Sequence, residues 1–187
     1  MQLTVKARGE HVATFRWIQV RLLEMLSAWV PTTAETEVKL AFGTHIWDVA
    51  QHADALGKRT HELRLPLQHS QQPTQEYVGF LDDVAATAAT DQRIAGFYDC
   101  MLPALDRRYR EYLDQVDGLL DGPTVRIVER ILFDIVRMLG EARQLREEVP
   151  AVALLSDRDW LDRLRLRESS AGAIVVSEPA VAIPAQA

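Results

Sequence analysis

Prolines divide this chain into four long segments with the hydrophobic periodicity of helices. The segments span about residues 10–30, 32–64, 75–117 and 124–148. In each segment apolar residues recur at spacings of three and four, which is the pattern of a helix that buries one face. Pro31, Pro66 and Pro150 follow the ends of three segments, and Pro123 suits the first position of the fourth helix.

The third segment is too long to be one uninterrupted helix. It contains Pro103, which has no backbone N–H to donate to the preceding turn. We therefore expect a kink at Pro103 or a break near Met101.

The lengths of the connections predict how the four segments are arranged. The first and third connections are short, whereas the second, residues 65–74, is polar and contains two prolines. Four long helices joined in this way predict an all-α protein, an antiparallel four-helix bundle with a crossover connection, which is the ferritin-like arrangement. We expect residues 1–150 to form this bundle.

The remaining residues, 151–187, have a weaker pattern and are predicted to be a C-terminal extension. Residues 156–167 begin with a potential capping residue, Ser156, and predict a short helix that docks Trp160 and Leu164. Residues 168–187 are rich in Ala, Val, Ser and Pro, and we expect them to be ordered only where they dock.

The charge and composition argue against several classes of function. The net charge is −6 and the basic residues are interleaved with acids, so no nucleic-acid partner is expected. No apolar run approaches the ~18 residues of a membrane span, and the first residues lack the apolar region of a signal peptide. The single cysteine, Cys100, predicts a buried structural thiol in a reducing compartment. We therefore expect a cytoplasmic protein that does not contact membranes.

Residues 41–56 carry the side chains with the greatest potential for chemistry. His45, Asp48 and His52 are spaced at i, i+3 and i+7, which brings them along one side of a helix. Two imidazoles and a carboxylate on a bundle helix are typical of a metal site. In the same stretch, Trp47 is interpreted as a packing anchor.

A family resemblance bears on this site. The runs EVKLAFGTHIWDVAQHADALGKRTHELR and DGPTVRIVERILFD resemble bacterial ferritin-like proteins of poorly defined function, over about residues 15–148. Such proteins build a di-metal centre from Glu-x-x-His motifs. Carried over to this sequence, only His52 keeps the identity of a ligand, because Val49 stands three residues before it and Ile135 and Met138 occupy the second motif. The resemblance therefore implies a degenerate di-iron site.

Two interpretations of the polar residues remain open at this point. In the first, a relocated site for Fe or Mn would make the protein a metal-dependent oxidoreductase. Its ligands would be His45, Asp48, His52, Asp134 and Glu141. In the second, His45 and His52 are buried core histidines, hydrogen-bonded and oriented by Asp48 or Asp134.

Loss of the metals would leave a cavity between the helices, and this favours a different function. We expect Gln19, Val49, Ile135 and Met138 to line that cavity. The polar groups in it, and the candidate catalytic residues, would be His52, His45 and Tyr98, since a histidine beside an acid can act as a general base. An apolar pocket with few polar groups is typical of small-molecule sites, although the same side chains could simply be core.

The leading hypothesis is thus a ferritin-like bundle that binds or transforms a small apolar metabolite without metal or another cofactor. The sequence leaves open whether the protein is an enzyme; a cofactor-independent tailoring enzyme and a metal-dependent oxidoreductase are the two enzymatic options. A third hypothesis is a non-catalytic homo-oligomeric scaffold, in its simplest form a homodimer, with residues 151–187 as the contact.

Overall fold

A computed structural model describes residues 3–176 of the chain. Within that range the regular structure is entirely helical, so the prediction of an all-α protein is confirmed. The α-helices are α1 (Val5–Trp29), α2 (Thr36–Glu62), α3 (Gln75–Ala85), α4 (Thr90–Ile94), α5 (Leu102–Leu113), α6 (Gly122–Glu148) and α7 (Arg158–Ser170). None of these helices is both long enough and apolar enough to cross a membrane.

The first two predicted helices are present, and a local cap sets the start of the first. The Thr4 hydroxyl accepts a hydrogen bond from the backbone N–H of Ala7 at 3.1 Å, so α1 begins before the expected residue 10. A short 3₁₀ turn, Val30–Thr32, contains Pro31 and separates α1 from α2. The chain reverses there, and the two helices pack side by side.

The third predicted segment differs from the expectation. It is interrupted at residues 86–89 rather than near Met101, and this interruption separates α3 from α4. From α4 to α5 the helix continues through Pro103, and residues Ala95–Met101 within it are π-helical. The backbone N–H of Leu102 accordingly donates to the carbonyl of Phe97, five residues earlier. The wider turn lies immediately before Pro103, where an α-helical hydrogen bond would be lost in any case.

The long helices pack as antiparallel neighbours around one apolar core. α2 contacts both α1 and α6, and α5 contacts α6. Side-chain pairs between α2 and the α6 region include His45 with Glu141, His52 with Asp134, and Arg59 with Asp121. Partner numbers fall as α2 advances, so α2 and α6 are antiparallel. The fully buried aromatic side chains of the core are Phe15, Phe42, Phe80, Phe97, Tyr77, Tyr98, Tyr109 and Tyr112.

A buried carboxylate fixes the register between α2 and α6. Asp121 is 0% exposed and precedes the first turn of α6. It accepts hydrogen bonds from Arg59 at 2.8 Å, from the Tyr112 hydroxyl at 2.7 Å and from Thr124 at 2.6 Å. These contacts join the end of α2, the end of α5 and the start of α6, so the facing residues further along α2 and α6 are set by this connection.

The C-terminal part of the described chain docks on the preceding helices. The predicted short helix is present as α7, and Asp157 rather than Ser156 caps it by accepting from the Trp160 N–H at 2.9 Å. Residues 171–176 are irregular, and the Ile174 carbonyl accepts a hydrogen bond from the Thr74 N–H at 3.0 Å. The rest of the predicted tail, residues 177–187, lies outside the described residues.

Candidate functional site

The facing sides of α2 and α6 carry two buried histidines that each contact a carboxylate. His45 is 1% exposed and its Nε2 lies 2.7 Å from Glu141 Oε2. His52 is 4% exposed and its Nε2 lies 3.0 Å from Asp134 Oδ2. An ionised carboxylate can only accept, so Nε2 carries the proton and donates in both pairs. In both rings Nδ1 is then the nitrogen that accepts when the imidazole is neutral.

The Nδ1 atom of His45 is already occupied. The Tyr98 hydroxyl lies 2.8 Å from it and donates to it, and Tyr98 is itself 1% exposed. Burial raises the pKa of the Tyr98 phenol far above its usual value, so the hydroxyl keeps its proton. Hydrogen bonds therefore run from Tyr98 to His45 and from His45 to Glu141, so both ring nitrogens of His45 have a partner.

His52 differs from His45 in one respect that matters for chemistry. Within residues 3–176, no hydrogen bond is made to its Nδ1. His52 also lines a surface groove between α2 and α6 with a volume of about 420 Å³. The other lining residues are Trp47, Asp48, Gln51, Ala55, Arg126, Ile127, Arg130, Ile131 and Asp134. Of the two histidines, only His52 combines an unpartnered acceptor nitrogen with a position on this groove.

The protonation states follow from burial and charge. Burial lowers the pKa of both His45 and His52 from 6.5, and this effect outweighs the opposing effect of their carboxylate partners. Both imidazoles are therefore neutral at neutral pH. Burial alone would raise the pKa of Asp134 and Glu141, but hydrogen bonds from the histidines and from Arg137 outweigh it, and both pKa values are lowered. Neutral imidazoles thus face ionised carboxylates.

Arg137 lies among the carboxylates that the sequence suggested as metal ligands. It donates to Asp48 at 2.7 Å, to Glu141 at 2.8 Å and to Asp134 at 3.4 Å. Three of the five candidate ligands, Asp48, Asp134 and Glu141, therefore meet at this guanidinium. The other two, His45 and His52, each contact one of these acids and not each other. Among the described residues, no group of three or more His, Cys, Asp or Glu side chains is arranged to hold a metal ion. A metal ion bound to these carboxylates would have to displace Arg137.

The structure also distinguishes the acids that could orient the histidines. Of the two acids that the sequence suggested for orienting the histidines, Asp48 and Asp134, it is Asp134 that orients His52. Asp48 forms an ion pair with Arg137 and, within residues 3–176, no hydrogen bond with either imidazole. Glu141, considered only as a metal ligand, is the residue that orients His45.

The side chains expected to line an inter-helix cavity lie in the packed interior. Val49, Ile135 and Met138 are at most 2% exposed and belong to the hydrophobic core. Gln19 is 2% exposed and donates from Nε2 to the Tyr109 hydroxyl at 2.7 Å, while its Oε1 has no hydrogen-bond partner. None of these four residues lines the groove beside His52. The candidate site is therefore on the solvent side of α2 and α6.

Trp47, Arg130 and Arg137 are among the residues of this site that the sequence interpretation missed. Trp47 is 67% exposed and forms part of the groove wall, so its interpretation as a packing anchor was wrong. Arg130 and Arg137 were not considered, although their positions carried a signal. Arg130 is four residues before Asp134, and Arg137 is four before Glu141, spacings at which opposite charges pair on a helix.

Comparisons of the chain with known proteins add no assignment. No protein-family model, no curated protein and no solved structure matches it. The ferritin-like resemblance therefore stays a prediction, and the function has to be argued from the geometry of the α2–α6 groove.

Proposed function

We propose that this protein binds a small molecule in the groove between α2 and α6, and that His52 is the polar group that contacts it. One observation carries the proposal. The His52 ring is anchored at Nε2 by Asp134, Nδ1 has no hydrogen-bond partner among residues 3–176, and the residue lines the groove. A volume of about 420 Å³ is within the range of small-molecule sites.

The lining indicates the chemical class of the ligand. The Trp47 indole with Ile127 and Ile131 offers an apolar wall suited to a flat hydrocarbon or aromatic body. Arg130 borders the same groove and is 74% exposed, so its guanidinium can meet an anionic substituent. The favoured ligand is thus a small amphipathic acid whose own O–H or N–H donates to His52 Nδ1.

The His52–Asp134 pair also supports a catalytic version of this function. Neutral His52 would accept a proton at Nδ1 from a bound substrate, and Asp134 would stabilise the imidazolium through the Nε2–H bond. The proton would leave the substrate and return to it or to solvent, with no metal or redox cofactor in the step. His45 and Tyr98 would act as positioning residues, because Tyr98 donates a hydrogen bond to His45 and His45 donates one to Glu141.

The position of Arg137 supports a function without metal over a metal-dependent oxidoreductase. We infer a ferritin-like bundle in which a guanidinium supplies the positive charge that metal ions supply in di-metal proteins. The antiparallel arrangement of α2 and α6, with acids and histidines on the sides that face each other, supports this derivation. An Fe or Mn site would need the same three carboxylates that Arg137 neutralises.

A dye of the right chemistry tests the groove directly. 8-Anilinonaphthalene-1-sulfonate has an aromatic body and a sulfonate, and we expect saturable binding of one molecule per chain. Trp47→Ala should weaken binding about tenfold or more, since an aromatic contact is worth about 1–3 kcal/mol. Leu40→Ala is the matched control, because Leu40 is 68% exposed on α2, like Trp47, but does not line the groove. Equal binding by the two variants would reject the groove.

The role of His52 needs its own measurement. In ¹⁵N NMR spectra of the imidazoles, saturation with the dye should shift the Nδ1 resonance of His52 and leave that of His45 in place. A shift of both resonances, or of neither, would contradict the assignment of His52.

A second experiment tests the metal-dependent alternative. Anaerobic addition of Fe(II) should leave the ultraviolet spectrum of the protein unchanged. Stoichiometric iron binding that is abolished by Asp134→Asn would instead support the metal-dependent alternative.

A further inference from the structure

The outer face of α6 carries a row of regularly spaced exposed residues, and no other helix of the described chain packs against this row. Seven exposed residues are spaced alternately by three and four positions: Arg126, Glu129, Phe133, Val136, Gly140, Arg143 and Glu147. This is the heptad spacing of a helix seam that packs along another helix. The opposite side of α6 already faces the core, so the helix has one buried and one unpartnered seam.

The centre of this outer seam is apolar and notched. Phe133 is 68% exposed and Val136 is 59% exposed, which is high for an aromatic and a β-branched side chain on neighbouring turns. A Cβ atom built on Gly140 would meet nothing within 4 Å. Glycine in a helix interior costs about 1 kcal/mol relative to alanine, and no contact within the chain requires it here. The notch is one helical repeat away from Phe133, at i+7.

The two ends of the seam carry charges that have no partner among the residues that the structure describes. Arg126, Glu129, Arg143 and Glu147 form no ion pair or hydrogen bond through their side chains within the part of the chain described. By contrast, neighbouring charged residues of α6 are paired: Arg130, Asp134, Arg137, Glu141 and Arg146 all form ion pairs. The unpaired charges read positive, negative, positive, negative along the helix.

This order of charges brings opposite charges together when two copies of α6 pack antiparallel to each other. If a second α6 lies antiparallel with the two-fold axis beside Val136, Arg126 faces Glu147 of the partner subunit. Glu129 then faces Arg143 of the partner subunit, and Phe133 lies over the notch at Gly140 of the partner subunit. A parallel pairing would instead place each charge against the same charge. Both the charge order and the fit of a large side chain to a notch select the antiparallel arrangement.

We propose that two copies of this chain form a homodimer through an antiparallel contact of their α6 helices. The contact is isologous, so each of the two charge pairs and the Phe133–Gly140 contact occurs twice. The interface is thus on α6 and not on residues 151–187. The proposal does not rest on ligand binding in the α2–α6 groove, with which the seam shares only Arg126.

Sedimentation of charge-reversal variants tests the pairing. The full chain should sediment with twice its mass of 21.1 kDa at high micromolar concentration and dissociate on dilution. Arg126→Glu and Glu147→Arg should each raise the dimer dissociation constant about tenfold, because each places like charges together at two sites. The double variant R126E/E147R restores opposite charges and should dimerise like the original chain. A monomer at all concentrations, or a double variant weaker than both single variants, would overturn the proposal.

Crosslinking at the two-fold axis gives an independent measurement. Val136→Cys adds a thiol next to the axis, and the natural Cys100 is buried at 3% exposure. A short bismaleimide should therefore link two V136C chains. The matched control is Leu166→Cys, because Leu166 is 70% exposed on α7, and it should give no crosslink. Crosslinking of L166C but not V136C would place the interface elsewhere and refute this one.

Discussion

Mild acidification, from about pH 7.5 to about 5.5, should destabilise this protein because His45 and His52 resist protonation in the folded state. Burial lowers the pKa of both imidazoles from 6.5. In the unfolded chain the same histidines have their ordinary pKa, so the unfolded state binds more protons below pH 6.5. The free energy of unfolding therefore falls as the pH falls through this window.

The size of the effect has an upper limit set by proton linkage. A histidine that stays neutral when folded contributes about 1.4 kcal/mol over one pH unit on either side of its unfolded pKa. Together, His45 and His52 therefore account for at most about 2.7 kcal/mol, a sizeable part of the ~5–15 kcal/mol that stabilises a typical domain. Asp134 and Glu141 do not titrate in this range, because their pKa values are lowered from 3.8 and 4.5.

Urea unfolding followed by circular dichroism at a series of pH values measures this dependence. The double variant H45Q/H52Q removes these two histidines and should reduce the pH dependence by up to about 2.7 kcal/mol, while His11, whose pKa burial also lowers, keeps its own contribution. The single variants H45Q and H52Q should each remove about half of that amount, since each imidazole contributes separately. If the original chain were as stable at the acidic end as at the alkaline end, the argument from burial would be refuted.

Three further substitutions test the contacts around this site. Tyr98→Phe leaves His45 Nδ1 buried without a donor and should cost about 1–3 kcal/mol of stability in urea unfolding. Asp121→Asn removes a buried charge that is paired with arginine and should cost about 3–5 kcal/mol by the same measurement, with an effect of less than 1 kcal/mol counting against its proposed role in helix register. Arg137→Met removes a cation that lowers the pKa of Glu141, so NMR titration of Glu141 should show its pKa rising, and an unchanged pKa would contradict the contact.

The helices of this protein could be predicted from the sequence because their causes are local. Apolar spacing of three and four residues and the prolines at 31, 66 and 150 place α1, α2 and α6 to within a few residues. The third segment was the exception. The expectation that Pro103 interrupts a helix follows from its missing N–H, but the chain absorbs that loss with a π-helical turn and breaks at residues 86–89 instead.

The candidate site was predictable only in part. The spacing of His45, Asp48 and His52 correctly indicated that they lie toward one side of α2. It could not indicate which acids meet them, because that depends on the rotation and register of α6. Trp47 shows the same limit, since its position on α2 fits either a buried anchor or a groove wall, and only the packing of the neighbouring helix decides between them.

The sequence by itself therefore determined the helical character of the described chain and the positions of the candidate site residues on α2 and α6. The tertiary structure decided the chemistry. It gave both ring nitrogens of His45 a hydrogen-bond partner, whereas Nδ1 of His52 has none among the described residues. It also placed Arg137 among the carboxylates. The physical reason is the range of the interactions. Helices are held by hydrogen bonds between residues four or five apart, whereas side-chain pairing depends on contacts between residues separated by most of the chain.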